Sequence, residues 1–259
     1  MAFEFDGEKY KQASSQQKEW GKRLIAELEF KGVERILDLG CGDGALTTEL
    51  AKLVPDGFVL GIDSSESMIE TARKYNAGAN LQFELLDINA IDFESEFDLV
   101  FSNATLHWVR DHGKLLRNVF KTLRNEGTAR FQFAGDGNCS NLIRILRETM
   151  SAKEYAPYFI NFDWPWYMPS VDEYKALLDE VAFVEKKVLS ENADKHFESA
   201  EAMTGWIDQP SLVPFLGYIA EKDRHRFRDA VVEQMIEETL QNDGTYFETF
   251  RRINVLVRK

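Results

Sequence analysis

The stretch from Val33 to Gly44, VERILDLGCGDG, constrains the fold of this chain more than any other. Ile36, Leu37 and Leu39 form the short apolar run of a fully buried parallel strand. The chain then breaks into Gly40, Gly42 and Gly44, and from Ala45 onward Leu46, Leu50 and Leu53 recur at helical spacing. In a strand, glycine turn and helix of this kind, bare backbone and the unpaired N–H groups of the helix start can approach a ligand closely. Glycines this dense would needlessly weaken a turn built only for packing. About twenty residues beyond Gly40 a second apolar run, Phe58 to Ile62, ends in Asp63. At that offset a doubly wound sheet places an acidic side chain against a ribose diol. Together the two features mark a nucleoside site.

DLGCGDG together with Gly61-Ile62-Asp63 resembles the first two motifs of class I S-adenosylmethionine-dependent methyltransferases. The resemblance implies an α/β fold: a doubly wound, mostly parallel seven-stranded Rossmann-like sheet with an antiparallel last strand and a helical cap. It also implies S-adenosyl-L-methionine as cofactor. A nicotinamide-dependent oxidoreductase is disfavoured, because the dinucleotide fingerprint spaces its glycines as G-x-G-x-x-G.

The rest of the chain alternates as such a sheet requires. Gln16 to Phe30 predicts a helix. Ser64 to Tyr75 predicts another, with serines at its start fit for an N-cap. Leu81 to Leu86 predicts a strand ending at Asp87, and Phe97 to Phe101 one ending at Ser102-Asn103. A helix over Leu115 to Leu123 and a strand over Thr128 to Ala134 follow. Ligands in such sheets lie beyond the carboxyl ends of the strands, where these polar residues fall. Asp87 can accept from an adenine amine, with Ile88 beside the ring. Met68 fits either the adenine face or plain core packing. By the resemblance, Asn103 and Ala104 flank the methionyl part of the cofactor. Asp38 fixes either the glycine loop or the cofactor's ammonium. The expected cofactor set is thus Asp38, Gly40, Gly42, Gly44, Asp63, Ser64, Met68, Asp87, Ile88, Asn103 and Ala104.

Two further stretches bear on the substrate. NATLHWV, Asn103 to Val109, and YKQASSQQKEW, Tyr10 to Trp20, are similar to segments of small-molecule carboxyl methyltransferases, the trans-aconitate and juvenile hormone acid families. The resemblance gives Gln17, or else Gln16, and Trp108 the task of holding a carboxylate, with Tyr10 folding over the site. Indole N–H and amide NH₂ are neutral donors that orient a carboxylate without neutralising it. A carboxylic acid titrates near ~4, so its oxygen is already nucleophilic at neutral pH. The expected reaction is therefore in-line methyl transfer to a carboxylate oxygen without a base. The alternatives are another O, N or C nucleophile with His107 as base, or a cofactor-binding protein without turnover. On residues alone, His107 equally caps or satisfies backbone. Arg144 and Arg147 either face solvent or stand on a substrate wall for a second acidic group. The aromatic run Tyr155 to Tyr167 is either a wall or a self-packed loop.

The expected organisation is a lid segment and helix over 1–30, a cofactor-binding core over 31–135, and the remaining sheet over 136–259. Within the last, Phe183 to Leu189 and Thr245 to Val257 are expected strands, and a helical insertion spans about 191–242. A length of 259 residues with 44% hydrophobic content suffices for such a core. The net charge of −13 argues against nucleic acid or an anionic membrane as the main partner, and the resemblance implies a small-molecule substrate. Cys41 and Cys139 imply no disulfide framework, and the scattered histidines no metal site. No run approaches the ~18 apolar residues of a membrane span, and no signal-peptide pattern opens the sequence. A cytoplasmic monomer or weak dimer is expected.

Overall fold

The apolar runs of the sequence become the central strands of one sheet in the computed structural model, which describes residues 15–259; Tyr10 and the Gln16 side chain lie outside the described residues. In chain order the elements are α1 (Ser15–Ala26), β1 (Arg35–Leu39), α2 (Ala45–Leu53), β2 (Phe58–Asp63), α3 (Glu66–Tyr75), β3 (Leu81–Leu85), β4 (Phe97–Asn103), α4 (His112–Thr122) and β5 (Leu123–Ala134). Then come α5 (Ser140–Ser151), α6 (Val171–Asp179), β6 (Glu185–Asn192), β7 (Lys195–Phe197), α7 (Ala200–Trp206), α8 (Val213–Leu216), α9 (Glu221–Thr239), β8 (Tyr246–Glu248) and β9 (Arg251–Arg258). Among the described residues seven strands form the main sheet in the order β3-β2-β1-β4-β5-β9-β6. Strands β1 to β5 pair in parallel, and β9 runs antiparallel to β5 with Thr128 opposite Arg258. The doubly wound sheet with an antiparallel closing strand is as expected.

The chain divides into two compact units. The first takes in the described residues up to Asp136 together with Trp166–Glu191 and Arg252–Lys259. Its core lies on both faces of the sheet: Ile36, Leu37 and Leu39 of β1 are wholly buried, as are Val100, Phe101, Phe131 and Phe133. Each such aliphatic side chain contributes roughly 1.5–3 kcal/mol by leaving water. Among the described residues, no helix is long and apolar enough to cross a membrane.

The second unit comprises Gly137–Pro165 and Asn192–Arg251. Leu142, Ile145 and Leu146 of α5 and Phe227, Val231 and Met235 of α9 are buried in it. Two expectations fail here. The strand foreseen over Thr245 to Val257 is two strands: β8 pairs with β7, and β9 joins the main sheet. The break comes at Glu248, whose wholly buried carboxylate turns to accept the N–H groups of Asn141 and Leu142 at the start of α5. Two residues on, the Phe250 N–H leaves the ladder for the Asp194 carboxylate. The insertion foreseen as helical also contains β7, too short to register as alternation.

Candidate active site

The glycine turn closes onto β2, because the N–H groups of Gly40 and Cys41 both donate to Ile62 O, at 2.8 and 2.9 Å. Gly40 has φ 74°, a conformation that side chains strain to adopt, and a Cβ there would lie 2.1 Å from the Thr105 methyl. Gly42 and Gly44 also take positive φ, and Gly44 caps α2. A Cβ at Gly61 would stand 2.9 Å from Cys41 Cβ, so the second motif keeps β2 narrow where the turn crosses it. Parallel pairing then brings the ends of β1, β2, β3 and β4 to one edge of the sheet.

Asp63 stands at the centre of this edge. Its carboxylate accepts the Gly42 N–H at 3.1 Å through one oxygen and the Ser65 N–H at 2.9 Å through the other. It therefore ties the turn to the start of α3. Ser65, not Ser64, caps α3, accepting the Met68 N–H; Ser64 is exposed and Met68 buried. Asp87 is exposed and caps the turn Ile88–Ala90 through the Asn89 N–H, while Ile88 is buried.

Asp38, behind the turn, is 3% exposed and accepts the Thr47 hydroxyl at 2.7 Å. Burial pushes its carboxyl up to about 7; the Thr47 bond pulls back, and the nearby charge of Asp63 pushes further up. Burial likewise pushes the Cys41 thiol well up, so this cysteine is no nucleophile at neutral pH.

Helix α1 meets the same edge. Lys18 Nζ lies 2.7 Å from the Asp43 carboxylate in the glycine turn, and Asn103 Nδ2 donates to the Gln17 carbonyl at 2.9 Å. Asn103 Oδ1 and Gln17 Oε1 are both buried and find no partner among the described residues. Buried acceptors left this way call for donors from a bound molecule, and a cationic ammonium beside a ribose supplies them. The residues present therefore fit S-adenosyl-L-methionine. Next along, Ala104 takes φ 57° and gives its N–H to Gln132 O at 2.7 Å.

His107 and Trp108 lie on the short 3-10 turn Leu106–Trp108, with ring centroids 5.4 Å apart, and Trp166 meets Trp108 edge-on at 5.8 Å. Burial holds the His107 imidazole well below its ordinary pKa, and the Arg252 charge and His112 push the same way. His107 Nδ1 is buried without a partner among the described residues. Gln17, Asn103, His107 and Trp108 all belong to the first unit.

Arg144 and Arg147 belong to the second unit. Arg144 is exposed and engaged by Glu148 and Glu238. Arg147 is exposed too, its guanidinium 4.9 Å from the centre of the Trp164 ring. The aromatic run up to Trp164 packs within that unit, with Phe162 stacked on Phe215 at 5.1 Å and Tyr155 edge-on to Phe227 at 5.1 Å, whereas Trp166 and Tyr167 belong to the first unit.

Reading the sequence missed Lys18, Thr47, Asn76 and Thr105. Asn76 Nδ2 donates to Asp43 O and to Ala72 O, and the Thr105 hydroxyl lies 3.2 Å from Gly40 O. Only Lys18, beside Gln17, and Thr105, inside NATLHWV, carried even a positional signal.

Residues 31–198 match the protein family described as methyltransferase domain. The chain is 30% identical over 243 residues to the trans-aconitate 2-methyltransferase of Deinococcus radiodurans, covering 91% of each. It is 31% identical over 186 residues to the juvenile hormone acid O-methyltransferase of Bombyx mori, covering 67% of each. The YcgJ protein of Bacillus subtilis shares the fold, with a TM-score of 0.65 at 15% identity over 93% of this chain and 98% of that one. A turn shaped for close approach, an acid at the end of β2 and these relatives agree: the chain belongs to the methyltransferase-domain family and is an S-adenosyl-L-methionine-dependent methyltransferase.

Proposed function

We propose that the chain methylates a carboxylate oxygen of a small organic acid, oriented by the Gln17 amide and the Trp108 indole N–H. The observation that carries this reading is the state of His107. Its imidazole is held neutral well below the usual range, so it is too weak a base to deprotonate a hydroxyl or an ammonium. A carboxylate needs no deprotonation. Two relatives support the class of acceptor, since both are named for methylation of an acid.

In this reading Asp63 accepts the ribose hydroxyls, Gly40, Gly42 and Gly44 admit the cofactor to bare backbone, and Asp87, Ile88 and Met68 border the adenine. Ser64 lies beside Asp63 at the exposed rim. Asp38, Asn103 and Ala104 border the methionyl end, with Asn103 Oδ1, unpartnered among the described residues, as an acceptor for the ammonium. The bound cofactor supplies an electrophilic methyl group on a sulfonium. The chain's own residues place the acid in line with that group and strip water from it.

The test is incubation with cofactor and a panel of mono-, di- and tricarboxylates beside matched alcohols and amines, read by mass. The expected product is a methyl ester, formed from acids alone and lost on mild alkaline hydrolysis. Alkali-stable methylation of an alcohol or amine in preference to every acid would contradict the proposal.

A further inference from the structure

The turn bearing His107 and Trp108 is held from beneath by a buried pair that the chemistry above does not use. His112, at the start of α4, is 2% exposed, and Tyr174, in α6, is wholly buried. His112 Nε2 lies 2.9 Å from the Leu106 carbonyl oxygen, and its Nδ1 lies 3.2 Å from the Tyr174 hydroxyl. A carbonyl carries no proton, so Nε2 is the protonated nitrogen. Nδ1 is then an acceptor, and the Tyr174 hydroxyl donates to it. Burial pushes His112 down to about 4 and Tyr174 upward, so both keep these protonation states at neutral pH.

The hydrogen bonds run in one direction, from Tyr174 through His112 to Leu106. The Leu106 carbonyl also closes the turn by accepting the Val109 N–H at 2.9 Å. The next carbonyl, that of His107, accepts the Tyr167 N–H at 2.8 Å, and the Tyr167 ring lies 4.8 Å from the His112 ring. Two successive carbonyls just before Trp108 are thus pinned by one buried cluster. Packing alone would ask only for rings of this size. It would not ask for a hydroxyl placed to bond the imidazole that holds the turn.

We propose that His112 and Tyr174 are positioning residues for methyl transfer, setting the angle of the Leu106–Trp108 turn and hence the place of the Trp108 indole N–H. This rests on the reading of Trp108 as a donor to the substrate carboxylate. Without the Tyr174 hydroxyl, His112 Nδ1 loses its donor and the ring is held only through Leu106, which frees it to swing and loosens the turn.

Tyr174→Phe, which keeps the ring, should lower kcat on the best acid by about tenfold, the scale of one misplaced hydrogen bond. S-adenosylhomocysteine affinity should stay within about twofold. His112→Gln, which retains an N–H able to reach Leu106 O, should keep more activity than His112→Leu. Imidazole nitrogen shifts should report the Nε2–H tautomer at His112 in the unaltered protein and a displaced Nδ1 resonance in Tyr174→Phe, where that nitrogen has lost its donor. The Trp108 indole N–H resonance should move in that variant. Full kcat in Tyr174→Phe beside an impaired Trp108→Phe would overturn the inference. If Trp108→Phe is itself fully active, the reading of Trp108 fails, and the indole resonance then decides. Its displacement in Tyr174→Phe would uphold positioning of the turn, and its constancy would refute it.

Discussion

At the scale of residues, Asp38 carries the most informative charge. An unfolded aspartate titrates near ~4, whereas folded Asp38 titrates near about 7 because it is buried. Between those values the unfolded chain has shed the proton that the folded protein keeps. The unliganded protein therefore loses stability as pH rises through that window and has its full share below it. Asp38→Asn, which preserves the bond from Thr47, should raise the melting temperature of the unliganded protein at pH ~8 and change it little at pH ~4. A cationic ammonium placed on Asp38 would draw the proton off. Binding of S-adenosylhomocysteine near pH ~6.5 should then release protons in the unaltered protein and none in Asp38→Asn. Calorimetry in two buffers of different ionisation enthalpy reads this directly, and equal enthalpies for the unaltered protein would contradict it. Asp63→Ala should weaken the same binding by ~1.5–3 kcal/mol, through the lost ribose acceptor and the released Gly42 and Ser65 N–H groups. The position of Asp63 was legible in the sequence because the end of a strand and a fixed offset from a glycine turn are local patterns. The Lys18–Asp43 pair was not, since nothing local tells a helical lysine which distant loop it will meet.

At the scale of elements, α1 is fastened to the site by that ion pair and by Asn103 Nδ2 on the Gln17 carbonyl. A helix held through the loop and strand end that border a ligand should be steadied when the ligand arrives. Hydrogen exchange should therefore slow in α1 on addition of S-adenosylhomocysteine, and more than in β5, whose protection comes from the sheet. Equal slowing in both would count against coupling through α1. Lys18→Met should weaken this response while leaving the fold intact, because the lysine is only partly buried. Most elements were legible from apolar periodicity and caps, α3 with its serine start among them. The last strand was misread for a reason that periodicity does not capture: Glu248 leaves the ladder to cap a helix far away in sequence. Strand β7, three residues long, was too short for any pattern to declare it.

At the scale of the whole molecule, a parallel sheet gathers residues that sit dozens of positions apart in the sequence onto one edge. Asp38, Asp63 and Asn103 are neighbours there only because three strands run the same way. The alternation of strands and helices made that convergence legible in advance. What each residue touches inside the site was not, because side-chain partners depend on packing that no period encodes. The account rests on an acceptor that needs no base, and the pH dependence of kcat tests this most directly. With saturating cofactor and the best acid, kcat should stay flat from pH ~6 to ~9, since the carboxylate is ionised and His107 neutral throughout. A rise of about tenfold per pH unit toward an alkaline plateau would contradict it, because it would show that a proton must leave the acceptor before the methyl group can arrive.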